Sequence, residues 1–198
     1  MSKSYKIVSS MVIIAVVAIG GYYVYQQHRA RKAGVLAENI VHQGDTWTAD
    51  FTARIGAPEP QVFETIKNFD KGHYDEIKSM RVISQTDSEK TIEMEISAVP
   101  GQTATTRVMF QYFPEQRRIT YHTLDSGPFA TNAEYDLTDE GGSTLMKFHD
   151  STTVPQQLPV PDAIVKRFIR GYFLSQLQGL QKTLNIANAD SGQDTDEP

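Results

Sequence analysis

Histidines are the first residues in this sequence that could carry acid–base or metal chemistry. The chain has five of them and no cysteine, and the lack of cysteine excludes disulfides, cysteine-bound zinc and thiol nucleophiles. His149 shares a predicted strand face with Lys147 and is expected to point outward, whereas one of His122 and Tyr121 must face the interior. A general acid or base needs a polar partner within hydrogen-bond distance, and the sequence identifies none for His122. We therefore predict a solvent-exposed His122 and no catalytic residue.

Residues 73–76 (HYDE) and the pair Glu93 and Glu95 are the other candidates for metal or carboxylate chemistry. No second histidine stands at zinc-ligand spacing beside residues 73–76, so no metal site is predicted. Glu93 and Glu95 lie on the polar face of a predicted strand, where solvated carboxylates or an ion pair with Arg107 are expected. A turn centred near Gly101 would place Glu95 opposite Arg107. Because the sequence contains no phosphate-binding glycine loop, dinucleotide fingerprint or nucleophile elbow, we predict no cofactor.

Charge is distributed unevenly along the chain, whose formal net charge is −5. Every charged residue among positions 1–33 is basic, so the remainder is more acidic than the total suggests. Nucleic-acid binding needs clustered lysine and arginine for phosphate contacts, and we therefore predict no nucleic-acid partner. Residues 186–198 contain acidic but no basic side chains and are predicted to form a disordered tail.

Residues 7–25 are apolar and uncharged, and as a helix they would extend about 28 Å, close to the hydrocarbon thickness of a bilayer. They predict a single-pass anchor in a bacterial inner membrane, preceded by a short tail, residues 1–6. Basic residues flank both ends of the anchor, so the side on which the remaining chain lies stays open. A cleaved signal peptide is the alternative, because small residues at 18–20 fit a cleavage site. Residues 26–45 are predicted to be a polar connector, with a helical continuation as far as Val41 as one option.

Alternating apolar and polar residues predict the elements that position any site. Residues 46–56 alternate cleanly and predict a half-buried strand, and residues 58–69 open with prolines and carry a helical apolar stripe. Six further strands at hairpin spacing are predicted at residues 80–85, 91–99, 103–113, 118–124, 131–137 and 143–153. The predicted fold class is therefore α+β, with a seven-stranded antiparallel sheet.

Residues 161–184 repeat apolar side chains at steps of three and four, which predicts an amphipathic helix of roughly 36 Å. An open antiparallel sheet needs a cover for one face, and this helix is the only predicted element long enough. The basic residues Lys166, Arg167, Arg170 and Lys182 are expected on its solvated face, or on anionic headgroups beside the anchor. Interior glycines such as Gly171 are expected to permit close packing in preference to making room for a ligand.

Three stretches give the chain a family resemblance: FTARIGAPEPQVFETIKNFD, YFPEQRRITYHTLDSG and FHDSTTVPQQLPVPDAIVKRFIRGYFLSQLQGLQKTL. Together with the element order they make residues 46–185 resemble the START-like, or SRPBCC, superfamily, whose members include polyketide cyclases and lipid-transport proteins. The resemblance implies the helix-grip fold, in which the sheet wraps around the long C-terminal helix. It also implies a cavity between sheet and helix that holds an apolar or amphipathic small molecule.

The predicted ligand-binding residues are apolar or aromatic side chains on the presumed inner faces: Phe51, Met94, Ile96, Phe110, Tyr112, Tyr121, Tyr135, Phe148, Phe168 and Tyr172. Inner tyrosines need partners for their hydroxyls, and a few polar points in an apolar cavity suit a lipid or polyketide. The expected function is a membrane-anchored binding protein for a lipid, isoprenoid or similar ligand. A cyclase or dehydratase using His122, and a protein-assembly module without a ligand, are the alternatives.

Overall fold

The computed structural model describes residues 33–68, 77–99, 102–125, 130–154 and 161–184. The predicted anchor at residues 7–25, the tail at residues 1–6 and the acidic segment at residues 186–198 lie outside the described residues. Within the described ranges, no helix has both the length and the apolar character needed to cross a bilayer.

Eight antiparallel strands form one sheet among the described residues, in the order β1-β2-β8-β7-β6-β5-β4-β3. The elements are β1 (Val35–Gln43), β2 (Thr46–Ile55), α1 (Glu59–Lys67), β3 (Ile77–Gln85), β4 (Glu89–Val99), β5 (Gln102–Phe113), a short 3-10 helix (Pro114–Gln116), β6 (Arg118–Thr123), β7 (Ala130–Asp139), β8 (Thr144–Thr153) and α2 (Asp162–Thr183). The long helix α2 lies against the inner face of the sheet, in agreement with the predicted helix-grip architecture.

The sheet has eight strands, one more than predicted. The additional strand, β1, lies within residues 26–45, for which the sequence predicts a polar connector. Val35–Gln43 pairs along β2, from Val35 opposite Ala53 to Gln43 opposite Thr46. Most of its side chains are exposed, because it is an edge strand, and exposure hides the apolar alternation by which strands are recognised. Gly44 follows β1 with a φ of 67°, the conformation that tight hairpin turns require and that glycine adopts without strain.

The same strand β1 holds α2 in place. His42 Nδ1 lies 3.0 Å from Asp162 Oδ2 at the start of the helix, and Glu38 Oε2 lies 2.9 Å from Arg170 Nε. The second contact is an ion pair without hydrogen-bond alignment. The Arg170 side chain is only 12% exposed, so the prediction that it lies on the solvated face of the helix is wrong. Near the other end of α2, Gln181 Nε2 donates to the carbonyl oxygen of Ala33 at 2.9 Å.

The packed core lies beneath the C-terminal half of α2. Phe173 stacks on Phe51 at a ring distance of 4.0 Å and on Phe148 at 5.3 Å. Val62 and Phe63 of α1 are buried in the same core. The predicted apolar stripe of α2 is not buried throughout, because Ile164 is 53% and Phe168 38% exposed.

The carboxylate pair on β4 has a register different from the predicted one. Glu93 lies opposite Arg107, and Glu95 lies opposite Thr105, since a register irregularity between Ser97 and Val99 shifts the pairing of β4 with β5. Glu93 accepts hydrogen bonds from Arg81 at 2.8 Å and Arg107 at 3.2 Å. These two guanidinium groups lower the pKa of Glu93. Glu93 therefore belongs to a surface ion-pair cluster, and Glu95 accepts a hydrogen bond from Ser79 at 3.4 Å.

Candidate functional site

A cavity of about 120 Å³ lies between the N-terminal half of α2 and strands β4 to β8. The helix contributes an almost wholly apolar wall: Val165, Phe168, Ile169 and Tyr172. The sheet side is mixed and includes the polar residues Thr106, Tyr121, Thr123, Thr131, Asp150 and Thr152. Phe168 lines the cavity and is also 38% exposed, so this side chain lies between the cavity and solvent.

Cross-strand register explains why space remains there. One row of directly opposed residues, the Asp150 row, runs from β5 to β2 through Phe110, Tyr121, Ala133, Asp150 and Ala49. Opposed side chains in a sheet lie within contact distance of one another. Asp150 therefore has an alanine on each side, and these two short side chains leave room above the carboxyl group.

The Asp150 carboxyl group belongs to a short hydrogen-bond chain. Thr152 Oγ1 donates to Asp150 Oδ1 at 2.6 Å, and Tyr121 donates its hydroxyl to Asp150 Oδ2 at 3.5 Å. Thr131 Oγ1 lies 3.0 Å from Thr152 Oγ1 and extends the chain. Burial raises the pKa of Asp150 to about 6, although the hydrogen bonds from Thr152 and Tyr121 act in the opposite direction. The cavity thus contains a carboxyl group that titrates near neutral pH.

Thr106 provides a second polar point in the cavity wall. Thr106 is 6% exposed, and its hydroxyl oxygen is buried without a hydrogen-bond partner. A buried hydroxyl left unpaired costs about 1–3 kcal/mol. Thr106 lies on β5 four residues from Phe110, which belongs to the Asp150 row. The two polar points are therefore at different places along the cavity.

The other inner tyrosines have partners within the protein and serve as walls. Tyr135 donates its hydroxyl to Gln176 Oε1 at 2.7 Å, and burial raises its pKa well above the ordinary value. Tyr112 donates to the carbonyl oxygen of Lys67 at 3.4 Å, and burial raises its pKa as well. Both remain neutral hydroxyls at physiological pH, with no indication of proton transfer.

The structure distributes the predicted ligand-binding residues over three places. Met94, Tyr121, Phe168 and Tyr172 line the cavity of about 120 Å³. Phe110, Tyr112 and Tyr135 line an adjoining space of about 30 Å³ that also borders Met94 and Tyr121. Phe51 and Phe148 stack against Phe173 in the packed core. The side chain of Ile96 lies outside the described residues.

None of the three histidines that the structure describes, His42, His122 and His149, lines the cavity. Tyr121 is buried and faces the cavity, so its neighbour His122 lies on the opposite face of β6. His149 is paired with Asp50 at 2.7 Å on the exposed face, which confirms the prediction that it points outward. Among the described residues, no cluster of histidine and carboxylate side chains is suited to hold a metal ion.

Asp150 and Thr106 are the site residues that sequence reasoning missed. Met146, Phe148 and Asp150 alternate along β8, and the first two are buried. This period of two would have placed Asp150 on the inner face, opposite in direction to His149. The usual exposure of aspartate argues against that placement when a strand is considered alone. For Thr106, nothing local in the sequence distinguishes an unpaired hydroxyl from a satisfied one.

Comparison with solved structures identifies the fold that encloses this cavity. No protein-family model matches the sequence, and neither does any curated protein. The solved structure of TTHA0849 from Thermus thermophilus is similar with a TM-score of 0.63 and 16% identity, over 70% of this chain and 97% of that chain. The Zhui aromatase/cyclase from a Streptomyces species gives a TM-score of 0.61 and 11% identity, over 71% and 94%.

A STAR-related lipid transfer protein from Xanthomonas axonopodis is also similar, with a TM-score of 0.56 and 10% identity, over 75% of this chain and 98% of that chain. At such low identities the likeness concerns the fold. The chain therefore has the same helix-grip fold as this aromatase/cyclase and this STAR-related lipid transfer protein.

Proposed function

We propose that this chain is a binding protein for a hydrophobic or amphipathic small molecule, held between the sheet and the N-terminal half of α2. The observation that carries the proposal is the cavity of about 120 Å³ with an apolar helix wall and a few polar groups on the sheet side. Ligand sites have this composition, because apolar walls supply affinity and a few polar groups fix orientation. The fold shared with a lipid transfer protein and an aromatase/cyclase supports the same class of ligand.

The size of the cavity limits what fits without a rearrangement. A cavity of about 150 Å³ accommodates benzene, and about 120 Å³ is close to that size, so the enclosed part of a ligand is limited to about one ring or a short acyl segment. A longer molecule must project past Phe168 or displace the N-terminal half of α2. That half is the more easily moved, because Ile164 and Phe168 are exposed whereas Phe173 is buried.

We further propose that residues 7–25 anchor the chain in a bacterial inner membrane. Their uncharged, apolar sequence supports this proposal. An anchor would keep the cavity beside the bilayer, where amphipathic molecules are concentrated. Expression of the full chain followed by membrane fractionation tests it: extraction only by detergent supports an anchor, and release by salt or alkaline carbonate contradicts it.

An enzyme on the same cavity is the second candidate, and Asp150 is the observation that favours it. A carboxyl group with a pKa raised to about 6, beside the Tyr121 hydroxyl, could exchange protons with a bound substrate. His122 does not have this role, because it lies on the other face of the sheet. A protein-assembly module without a ligand is disfavoured, since that function does not require an internal cavity.

The proposal is tested by identifying molecules that co-purify with the full chain. Mass spectrometry of solvent extracts would be compared for the wild-type protein, Val165→Trp and Ile164→Trp. Val165 lines the cavity, and its neighbour Ile164 is 53% exposed, so the two substitutions place the same large side chain inside and outside the cavity. A near-stoichiometric apolar molecule that is lost only in Val165→Trp supports the proposal. Equal extracts from all three proteins would overturn it.

A further inference from the structure

We propose that the ligand is a compact ring that carries a hydroxyl group, and that this hydroxyl donates a hydrogen bond to Asp150. The inference rests on the proposed function and names the chemical class of the ligand. Asp150 is 8% exposed, lines the cavity and lies between two alanines that leave its carboxyl group accessible. Two donors, Thr152 and Tyr121, already occupy part of its acceptor capacity. A carboxylate accepts about four hydrogen bonds, so acceptor positions remain for a ligand.

The unpaired hydroxyl of Thr106 indicates independently that the cavity is shaped for a ligand with polar substituents. Its oxygen is buried, lines the same cavity and has no partner in the protein. A purely apolar ligand would leave this hydroxyl unpaired and without water, at a cost in affinity. A ligand with an oxygen substituent near Thr106 would accept a hydrogen bond from it. Thr106 thus fits a second substituent, on the part of the ring away from Asp150.

The presence of two polar points favours a ring with two polar substituents over an acyl chain. Thr106 is on β5 and Asp150 on β8, with β6 and β7 between them. A fatty acyl chain has one polar end, so its methylene groups would cover whichever of the two residues the head group does not reach. A ring with two oxygen substituents presents a polar group toward each residue. The cavity volume of about 120 Å³ limits the enclosed part of the ligand to about one ring.

The test uses benzene, phenol and hydroquinone as probes of nearly constant shape with zero, one and two hydroxyls. Because residues 7–25 are apolar, the full chain is kept in solution with an amphipathic polymer. Titrations are followed by NMR of labelled threonine methyl groups, since Thr123, Thr131 and Thr152 line the cavity. This readout separates binding in the cavity from partition into the polymer. We expect phenol to bind about tenfold more tightly than benzene, as for a hydrogen bond to a charged acceptor.

Variants assign the effect to individual residues. Asp150→Asn keeps the shape and should reduce the preference for phenol over benzene severalfold, and Asp150→Ala should abolish it. Asp50→Asn is the matched control, because Asp50 lies on the exposed face and pairs with His149; it should leave the preference unchanged. Thr106→Val should leave the phenol preference intact and remove the additional gain for hydroquinone.

The outcomes separate this inference from the proposed function. Equal binding of benzene and phenol, with shifts of the cavity methyl groups, would overturn the hydroxyl assignment and leave the proposed function standing. Tighter binding of benzylamine than of phenol would also overturn it, because the preferred head group would then be a cation. If no probe shifted the cavity methyl groups, the inference would fail, and the proposed function would be decided by the co-purification experiment with Val165→Trp.

Discussion

The two halves of α2 cover the same sheet and differ in what lies beneath them. In the C-terminal half, Phe173, Leu174 and Leu177 are each 1% exposed and pack against large aromatic side chains. In the N-terminal half, Ile164 is 53% and Phe168 38% exposed, and a cavity of about 120 Å³ separates the helix from the sheet. One helix therefore holds the fold together at one end and encloses a binding space at the other.

The sheet causes this difference. The row opposite the C-terminal half, the Phe148 row, contains only bulky residues: Tyr112, Ile119, Tyr135, Phe148 and Phe51. Two residues further along each strand, the Asp150 row replaces two of these side chains with alanine and one with aspartate. A cavity opens where facing side chains become shorter and the helix cannot approach to fill the gap. Position in the sheet therefore decides whether an apolar helix residue stabilises the fold or lines a site.

The largest expected contrast between the halves is in stability. Phe173→Ala should lower the free energy of unfolding by about 3–5 kcal/mol, because it removes a fully buried ring from a packed core. Phe168→Ala should lower it by less than about 1 kcal/mol, since this ring is 38% exposed. Urea denaturation of both variants measures the contrast. Similar losses at the two positions would mean that the halves are packed alike.

The next expected contrast is the pH dependence of the free energy of unfolding, which Asp150 causes. Burial raises its folded-state pKa to about 6 from 3.8, so between these values the folded protein binds the proton more tightly than the unfolded chain. The stability that this proton confers is complete below pH 3.8 and is lost as the pH rises through 6. The difference amounts to about 3 kcal/mol.

Asp150→Asn cannot ionise at this position, and it should therefore gain stability relative to wild type between pH 4 and pH 8. Urea midpoints at several pH values, with Asp50→Asn as the control, measure the gain. A stability difference from wild type that does not vary with pH would contradict a buried, titrating carboxyl group.

Two buried threonines differ in whether their hydroxyl groups are hydrogen-bonded within the protein. Thr144 is fully buried and donates to the carbonyl oxygen of Ala57 at 2.7 Å, whereas Thr106 is buried in the cavity wall without a partner. Thr144→Val should destabilise the protein by about 1–2 kcal/mol, and Thr106→Val should stabilise it by about 1 kcal/mol. Thermal unfolding of the two variants measures both changes in stability. A loss of stability in Thr106→Val would show that its hydroxyl is satisfied in the empty protein.

Much of this fold could be predicted from the sequence, because strands β2 to β8 and the helices have strong local periodicity. The strand β1 could not, since an exposed edge strand lacks an alternating apolar face. The existence of a cavity followed from the resemblance, but its position did not. The position depends on which side chains stand opposite one another across four strands, and that register is a non-local property. Asp150 was missed because aspartate is usually exposed, although the alternation with Met146 and Phe148 points it inward.

The smallest expected effect is at Gly171, where the two halves of α2 meet. A Cβ atom at this position would meet no other atom within 4 Å, so the expectation that this glycine permits close packing is wrong. Gly171→Ala should stabilise the helix by about 0.5–1 kcal/mol, because alanine has the higher helix propensity. If the N-terminal half of α2 moves to admit ligands, the same variant should also slow ligand exchange. Chemical denaturation and stopped-flow displacement of phenol measure the two effects.

The central claim is that space for a ligand exists beneath the N-terminal half of α2, whereas only about 20 Å³ remains beneath the C-terminal half. A crystal structure of the full chain under xenon pressure tests this claim most directly, because xenon enters apolar cavities of this size. We expect xenon, or a bound ligand, between Ile169 and Thr131, and none between Phe173 and Phe51. A structure in which Phe168 fills the space beneath the N-terminal half, leaving no room for xenon, would contradict it.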